Sequence, residues 1–269
     1  MTIPVTLTIA GSDSGGGAGI QADIKTMSAL GTYATSVITA LTAQNTREVR
    51  AIVDVATEFI DQQIDCVCED IRIDAVKIGM LSRPEVIRAV RHGLDRHDLK
   101  NIVLDPVMIA KSGDKLLADE AVDALRHELL PRASIVTPNL PEAGVLLDCA
   151  DATDVDGMIQ QGVEILRLGA KAVLMKGGHA RGSENTDVLI TADQQFLFSH
   201  PHIDTHNTHG TGCSLSSAIA ARLAHGDDLS QAVETSTDYI HAAIKAADSL
   251  NVGEGHGPVH HFHKLWQPL

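Results

Sequence analysis

The sequence predicts a single-domain α/β fold, with a mostly parallel central sheet and helices on both faces. Three observations lead there. Short runs rich in β-branched residues alternate with longer segments of helical periodicity. Aromatic residues are scarce (1 Trp, 2 Tyr, 4 Phe), so the core is built from Ala, Val, Ile and Leu, which suits strands covered on both sides. No Ser/Gly- or Pro-rich linker, block of like charge or solenoid-length repeat interrupts the 269 residues, so 1–269 reads as one domain.

Val5-Thr6-Leu7-Thr8-Ile9-Ala10 is a short buried strand that stops at Gly11. A Gly-rich turn follows, then a helix over Ile20–Leu30 with Ile20, Ile24, Met27 and Leu30 on one face. The pattern then repeats. Thr35–Leu41 reads as a strand, Glu58–Ile71 as a helix, Ala75–Gly79 as a strand, and Pro84–Leu94 as a helix with Pro in its first turn. Ile102–Asp105 and Ser134–Thr137 are further strands. Met158–Leu168 is a helix, and Ala172–Met175 a strand followed by Lys176-Gly177-Gly178. Asp187–Thr191 and Gln195–Phe198 form a hairpin around Asp193, and Ser214–Ala224 and Ala232–Ala247 are long helices. The tail from Gly253 is rich in Gly, His and Pro.

Composition excludes several function classes. With 21 Lys+Arg against 35 Asp+Glu, the formal charge is −14, the wrong sign for a protein that relies on phosphate contacts to nucleic acid. No apolar run approaches the roughly 18 residues of a membrane span. Met1–Val5 lacks the basic flank of a signal peptide, so the expected location is the cytoplasm. Cys66, Cys68, Cys149 and Cys213 fit neither a CxxC motif nor a zinc site, and all but Cys213 read as plain reduced thiols.

Sites in open α/β sheets form outside the carboxyl ends of the strands. Unusual residues cluster at those ends. After the first strand comes Gly11-Ser12-Asp13-Ser14-Gly15-Gly16-Gly17-Ala18-Gly19. It lacks the Lys of a phosphate-binding P-loop, and Ile20 fails the last position of a dinucleotide fingerprint. What survives is a chain with few Cβ atoms, able to approach a ligand and present N–H groups to it. Asn207-Thr208-His209-Gly210-Thr211-Gly212-Cys213 opens a helix, where free N–H groups and the helix dipole suit charge developing on a transferring phosphoryl group. A thiol in that first turn is expected to have a lowered pKa and to act as a base; the competing reading is a small buried apolar residue.

Asp105-Pro106, Thr137-Pro138-Asn139-Leu140-Pro141-Glu142 and Lys176-Gly177-Gly178-His179 end three more strands. Carboxylate, amide and Lys suit a metal–phosphate site. Singly, Asp105 also suits a turn, Asn139 with Glu142 a helix capping box, and Lys176 a solvated charge. The loop Ala110–Lys115 suits either a lid or an ordinary surface loop. The histidines of the tail lack a second ligand set, so a packed or surface tail is favoured over metal binding.

Five motifs in this order, Ala10–Asp23, Val103–Met108, Thr137–Glu142, Lys176–His179 and Thr208–Cys213, resemble hydroxymethylpyrimidine/phosphomethylpyrimidine kinases of the ribokinase-like superfamily. The likeness runs over nearly the whole chain. It implies the ribokinase-like three-layer sandwich. It implies two successive ATP-dependent phosphorylations, of 4-amino-5-hydroxymethyl-2-methylpyrimidine and then of its monophosphate. It also implies that Gly11, Asp23 and Gln44 hold the pyrimidine, with Met80 against the ring. Gly210, Thr211, Gly212 and Cys213 would form the catalytic anion hole. Lys176, Asn139 and Asp105 would contact ATP and its phosphates, and Glu142 and Asp105 would hold Mg²⁺. A homodimer is expected. One departure is visible: Thr237, in Ser236-Thr237-Asp238-Tyr239, stands where the family pattern carries a Lys. The competing readings are a pyridoxal/pyridoxine kinase of the same superfamily and a non-catalytic pyrimidine-binding regulator. Intact Cys213, Lys176 and anion-hole glycines speak against the regulator.

Overall fold

The computed structural model describes residues 2–108, 117, 119–178 and 184–266. Its centre is an eight-stranded sheet in the order β10-β9-β8-β7-β6-β5-β1-β2. The strands are β1 (Val5–Ala10), β2 (Tyr33–Ile38), β5 (Ala75–Ile78), β6 (Ile102–Leu104), β7 (Ile135–Val136), β8 (Ala172–Met175), β9 (Glu184–Thr191) and β10 (Gln195–Pro201). From β2 across to β8 every pair is parallel, while β9 and β10 add antiparallel at the edge. A separate two-stranded sheet joins β3 (Ala40–Gln44) to β4 (Val49–Asp54).

Side-chain alternation divides the core into two layers. Leu7, Ile9, Val76, Ile78, Leu104, Val136 and Val173 face one way, toward α2 (Thr57–Cys68), α3 (Pro84–Arg96), α4 (Asp119–Ala124), α5 (Leu140–Leu147) and α6 (Val155–Arg167). Ala75, Val103, Ile135, Ala172, Leu174 and Leu189 face the other way, toward α1 (Gly19–Ala29), α7 (Thr211–Ala224) and α8 (Leu229–Lys245). On this second face the apolar rule breaks at Thr6, Thr8 and Lys77, all without exposed surface. Those exceptions lie under the site.

Most expected elements are present with shifted ends. The strand expected over Thr35–Leu41 is the main departure. The chain leaves the large sheet after Ile38, where Thr39 donates its N–H to the Ala10 carbonyl and its hydroxyl to the Met80 carbonyl. It then turns out as the β3–β4 hairpin, whose tip is held by Asn45 Oδ1 accepting from the N–H groups of Arg47 and Glu48. One face of the hairpin, with Thr42 opposite Ile52, covers the cavity described below; Leu41 and Val53 pair on the other and are exposed. The loop Ala110–Lys115, and His179 of the Lys176–His179 motif, lie outside the described residues.

The tail is packed into the domain. The His209 N–H donates to the Gly257 carbonyl and the Val259 N–H to the His209 carbonyl, so the tail runs beside the segment that opens α7. His261 is buried, with Nε2 3.1 Å from Ser214 Oγ, and Tyr239 donates its hydroxyl to the His261 carbonyl at 2.7 Å. Burial, with Lys25, His260 and His209 nearby, pushes the His261 pKa down to about 3. An unfolded histidine titrates near 6.5. Between about 6.5 and 3 the unfolded chain therefore binds a proton that the folded chain refuses. This contribution to stability is complete above 6.5 and falls as the pH drops, by about 1.4 kcal/mol per unit. Replacing His261→Gln should flatten the stability–pH slope between pH 6 and 5 by about that amount in urea titrations; an unchanged slope would contradict the buried neutral state.

Candidate active site

One cavity of about 760 Å³ runs along the carboxyl edge of the sheet. At one end it is lined by Gly11, Gln44, Met80, Ile52 and Val107, and at the other by His200, Pro201, Ile203, Ile240 and His241. Asp105, Asn139, Glu142, Lys176 and Gly210–Cys213 line it as well. The sequence motifs therefore meet, as the ends of β1, β6, β7 and β8 and the start of α7 converge on one edge.

The loop after β1 differs from its expectation. Several of its N–H groups are taken up inside the loop. Asp13 Oδ1 accepts from Gly15 N, and Oδ2 from Gly17 N and Ala18 N, at 2.8–3.1 Å. The carboxylate winds the loop around itself, as short acidic side chains do in turns. The same Oδ2 lies 2.9 Å from His209 Nε2. Burial works to raise the Asp13 pKa, but His209 and the Ala18 and Gly15 N–H groups outweigh it and hold the carboxyl below its usual range. The loop is thereby latched to the segment before α7. The contact is so close that a Cβ on Gly210, at φ +80°, would lie 1.8 Å from the Gly17 carbonyl oxygen, so only glycine fits.

Helix α7 supplies the anion site. Among the described residues, Gly212 and Cys213 donate no backbone hydrogen bond within the chain, as expected of a first helical turn. A Cβ on Gly212 would sit 3.3 Å from Lys176 Nζ and 3.7 Å from Asp105 Oδ2. Glycine here lets the helix terminus, the ammonium and the carboxylate share one space. Lys176 Nζ lies 3.1 Å from Asp105 Oδ1 and 3.7 Å from Glu142 Oε2. Burial works to lower its pKa, and the two carboxylates more than reverse that, so it stays charged. Glu142 moves the other way, up to about 6, because burial and Asp105 outweigh Lys176 and the Asn139 N–H. Asn139 and Glu142 form the full capping box of α5, each accepting at 2.8 Å from the other's N–H. Capping and site geometry are therefore the same contact; such caps contribute about 1 kcal/mol.

Cys213 corrects its expectation. Burial first, then the Asp23 and Asp105 carboxylates, push its pKa up to about 11 despite Lys77 and the Gly19 N–H. The resting side chain is a thiol. The sequence reading weighed the helix dipole and lacked the two carboxylates behind it.

Asp23 is corrected in place. It was expected to hold the pyrimidine, yet it has no exposed surface and lies beneath the cavity. Its oxygens accept from Thr8 Oγ1 at 2.6 Å, Ser217 Oγ at 2.7 Å and Lys77 Nζ at 2.8 and 2.9 Å. Sequence reasoning missed three residues here: Lys77, Ser216 and Ser217. Lys77 had a signal, as a charge within the apolar strand Ala75–Ile78. Ser216 Oγ lies 3.2 Å from Asp105 Oδ2 and shares its one proton between that oxygen and the Gly212 and Cys213 carbonyls at 3.0 Å, so neighbouring serines on α7 reach both carboxylates. Gln44, Gly11 and Met80 line the cavity together; Gln44 Nε2 is 3.5 Å from His209 Nε2, and a Cβ on Gly11 would meet Met80 Cε at 2.6 Å. Thr237 lines the far end, its hydroxyl turned back to the Glu234 carbonyl at 2.9 Å.

The comparisons with known proteins give the family. The phosphomethylpyrimidine kinase family model matches residues 13–260. The chain belongs to that family. A hydroxymethylpyrimidine/phosphomethylpyrimidine kinase of Rhizobium meliloti is 55% identical over 98% of both chains. A phosphomethylpyrimidine kinase structure from Clostridium difficile is 48% identical, with a TM-score of 0.81, over 90% of this chain and 100% of that one. The Bacillus subtilis pyridoxal kinase structure, an ADP complex, is 35% identical with a TM-score of 0.90, over 97% of this chain and 98% of that one. The fold is thus the ribokinase-like α/β sandwich, and the family is one of phosphotransferases.

Removing the Asp23 carboxylate would leave Lys77 charged and buried without a partner. Asp23→Ala should cost about 3–5 kcal/mol in urea unfolding; a loss below about 1 kcal/mol would show that the pair does not anchor this layer.

Proposed function

We propose that this chain phosphorylates 4-amino-5-hydroxymethyl-2-methylpyrimidine with ATP, and then phosphorylates the monophosphate to the diphosphate, in thiamine biosynthesis. The observation that carries the reading is the meeting of Lys176, Asp105 and the open N-terminus of α7 in one cavity with Gly11, Gln44 and Met80. Family membership and the names of relatives about half identical to this chain support the substrate.

At the Gln44 end an amide can both donate to and accept from an aminopyrimidine edge. Met80 offers a polarizable thioether to the ring face. The hydroxymethyl group then points toward Cys213 and the Gly210–Cys213 turn. The triphosphate lies along Asn139 and Lys176, with the base toward Pro201, Ile240 and His241. Transfer needs little covalent work from the protein, so alignment and charge stabilisation dominate. Lys176 and the Gly212 and Cys213 N–H groups stabilise the transferring phosphoryl oxygens, and Cys213 in its ionised form takes the hydroxymethyl proton.

Two carboxylates flanking one ammonium suit Mg²⁺, which takes one or two protein oxygens beside phosphates. Asp105 and Glu142 would hold it, and it would neutralise charge on the phosphates. Glu142 must be ionised to take part, and its raised pKa leaves that within reach at neutral pH.

A homodimer in the cytoplasm completes the reading. The exposed Leu41 and Val53 on the outer face of the β3–β4 hairpin support the dimer. No helix among the described residues is long and apolar enough to cross a membrane. Pyridoxal kinase is the second reading, favoured by the close superposition on a pyridoxal kinase.

The test is product analysis with purified protein, Mg-ATP and the hydroxymethylpyrimidine, with the monophosphate and pyridoxal beside it. Mono- and diphosphate are expected. Monophosphate alone would overturn the second step and point to Thr237. Pyridoxal phosphate as the main product would move the assignment to the second reading. Gly212→Val should lower kcat about 100-fold or more while changing pyrimidine KM little, because the added side chain enters the space shared with Lys176 and Asp105. Equal effects on both constants would contradict the anion-hole role.

A further inference from the structure

Lys77 stands in the middle of the sheet, on β5 between β1 and β6, and its side chain has no exposed surface. The fold does not require a charge there. A buried ion pair adds little over an apolar pair of the same shape, because desolvation consumes the Coulombic gain. Yet both oxygens of Asp23 are committed to holding this ammonium, at 2.8 and 2.9 Å.

Its position is informative. A Cβ on Gly79 would come within 2.8 Å of Lys77 Nζ and 3.0 Å of Ala10 Cβ. The ammonium therefore lies just below the ends of β1 and β5, under Gly11 and Met80, and it borders the cavity beside Cys213 and Asp105. Ser217, which donates to Asp23, follows Cys213 by one helical turn on α7. Asp23 thus fixes Lys77 and the helix carrying Cys213 in one frame. The titratable groups around the thiol are Lys77 from β5, Asp23 from α1 and Asp105 after β6, with Lys176 after β8 paired to Asp105. Lys77 is the first of the groups that lower a thiol which burial and two carboxylates raise, and Lys176, already paired to Asp105 and Glu142, also acts on that thiol.

We propose that Lys77, held by Asp23, is a positioning cation for the phosphotransfer: its buried ammonium compensates the thiolate of Cys213, the form that takes the hydroxymethyl proton. This rests on the kinase reading above. In the step, the hydroxymethyl O–H bond breaks and its proton passes to the Cys213 sulfur. The freed oxygen pair forms the bond to the γ-phosphorus, and the bond to the leaving ADP oxygen breaks with its pair going to ADP. The thiol then returns its proton to solvent. Without Lys77 the sulfur would face two carboxylates and a low dielectric, and the ionised fraction would fall.

The test uses the full chain, Lys77→Met, and Lys77→Gln. Lys77→Gln removes the charge while its amide can still donate to Asp23, so it carries the test if Lys77→Met does not fold, and Asp23, which itself works to raise the thiol, stays in place in both. The pH dependence of iodoacetamide alkylation at Cys213 is followed by peptide mass spectrometry, without substrate, alongside kcat and KM. The midpoint should rise by about one pH unit or more, which is about a tenfold loss of thiolate at fixed pH. The kcat should fall by about tenfold or more with pyrimidine KM nearly unchanged. A folded variant that alkylates with the wild-type midpoint, or that keeps wild-type kcat, would overturn the proposal. A shifted midpoint in a protein whose wild type phosphorylates no pyrimidine would instead overturn the kinase reading and keep the coupling between Lys77 and the thiol.

Discussion

Helix α7 is tied to the sheet by two buried carboxylates, and the rest of the site depends on where this leaves its N-terminus. Ser216 reaches Asp105 and Ser217 donates to Asp23, and each carboxylate also carries a lysine, Lys176 and Lys77 respectively. Thr8 fixes Asp23 to β1. Four strands or their ends (β1, β5, β6 and β8) and two helices therefore converge on two charges of one sign and two of the other. In a low dielectric such groups are tolerated only when fully partnered, and the partners here come from elements far apart in sequence.

The consequence is an electrostatic division along the cavity. Lys176, Asp105 and Glu142 form a charged patch where phosphates and a divalent cation fit. Gly11, Met80 and Val107 form a less polar end where a ring fits, with Gln44 as its specific contact. The turn Gly210–Cys213 lies between them. The latch between Asp13 and His209 joins the two ends, because it binds the loop after β1 to the segment that starts α7. A change in the pyrimidine loop is therefore felt at the anion hole.

Much of this was legible in the sequence. The strands β1 and β8 have the bounds read from their β-branched and apolar runs. The Asn139–Glu142 capping box follows from its spacing alone, since both contacts are local. The β3–β4 hairpin was not legible as a hairpin: Thr35–Leu41 is a continuous β-favouring run, and the break after Ile38 is made by bonds from Thr39 to Ala10 and Met80. The N–H groups of the Gly-rich loop looked free because their acceptor, Asp13, sits within the loop itself. The state of Cys213 was missed for a related reason. A helix terminus is visible in sequence, whereas the burial and the Asp23 and Asp105 carboxylates that raise the thiol are products of the tertiary fold.

The claim that the two serine–carboxylate ties set the catalytic end of α7 is tested most directly by the double variant Ser216→Ala/Ser217→Ala. Both hydroxyls are small and buried, so the helix should still form. The account predicts a folded protein that binds the pyrimidine with wild-type Kd by calorimetry and loses about tenfold or more in kcat, since small misplacements of reacting groups are costly. Wild-type kcat in the folded double variant would contradict it, and would mean that packing alone places the anion hole.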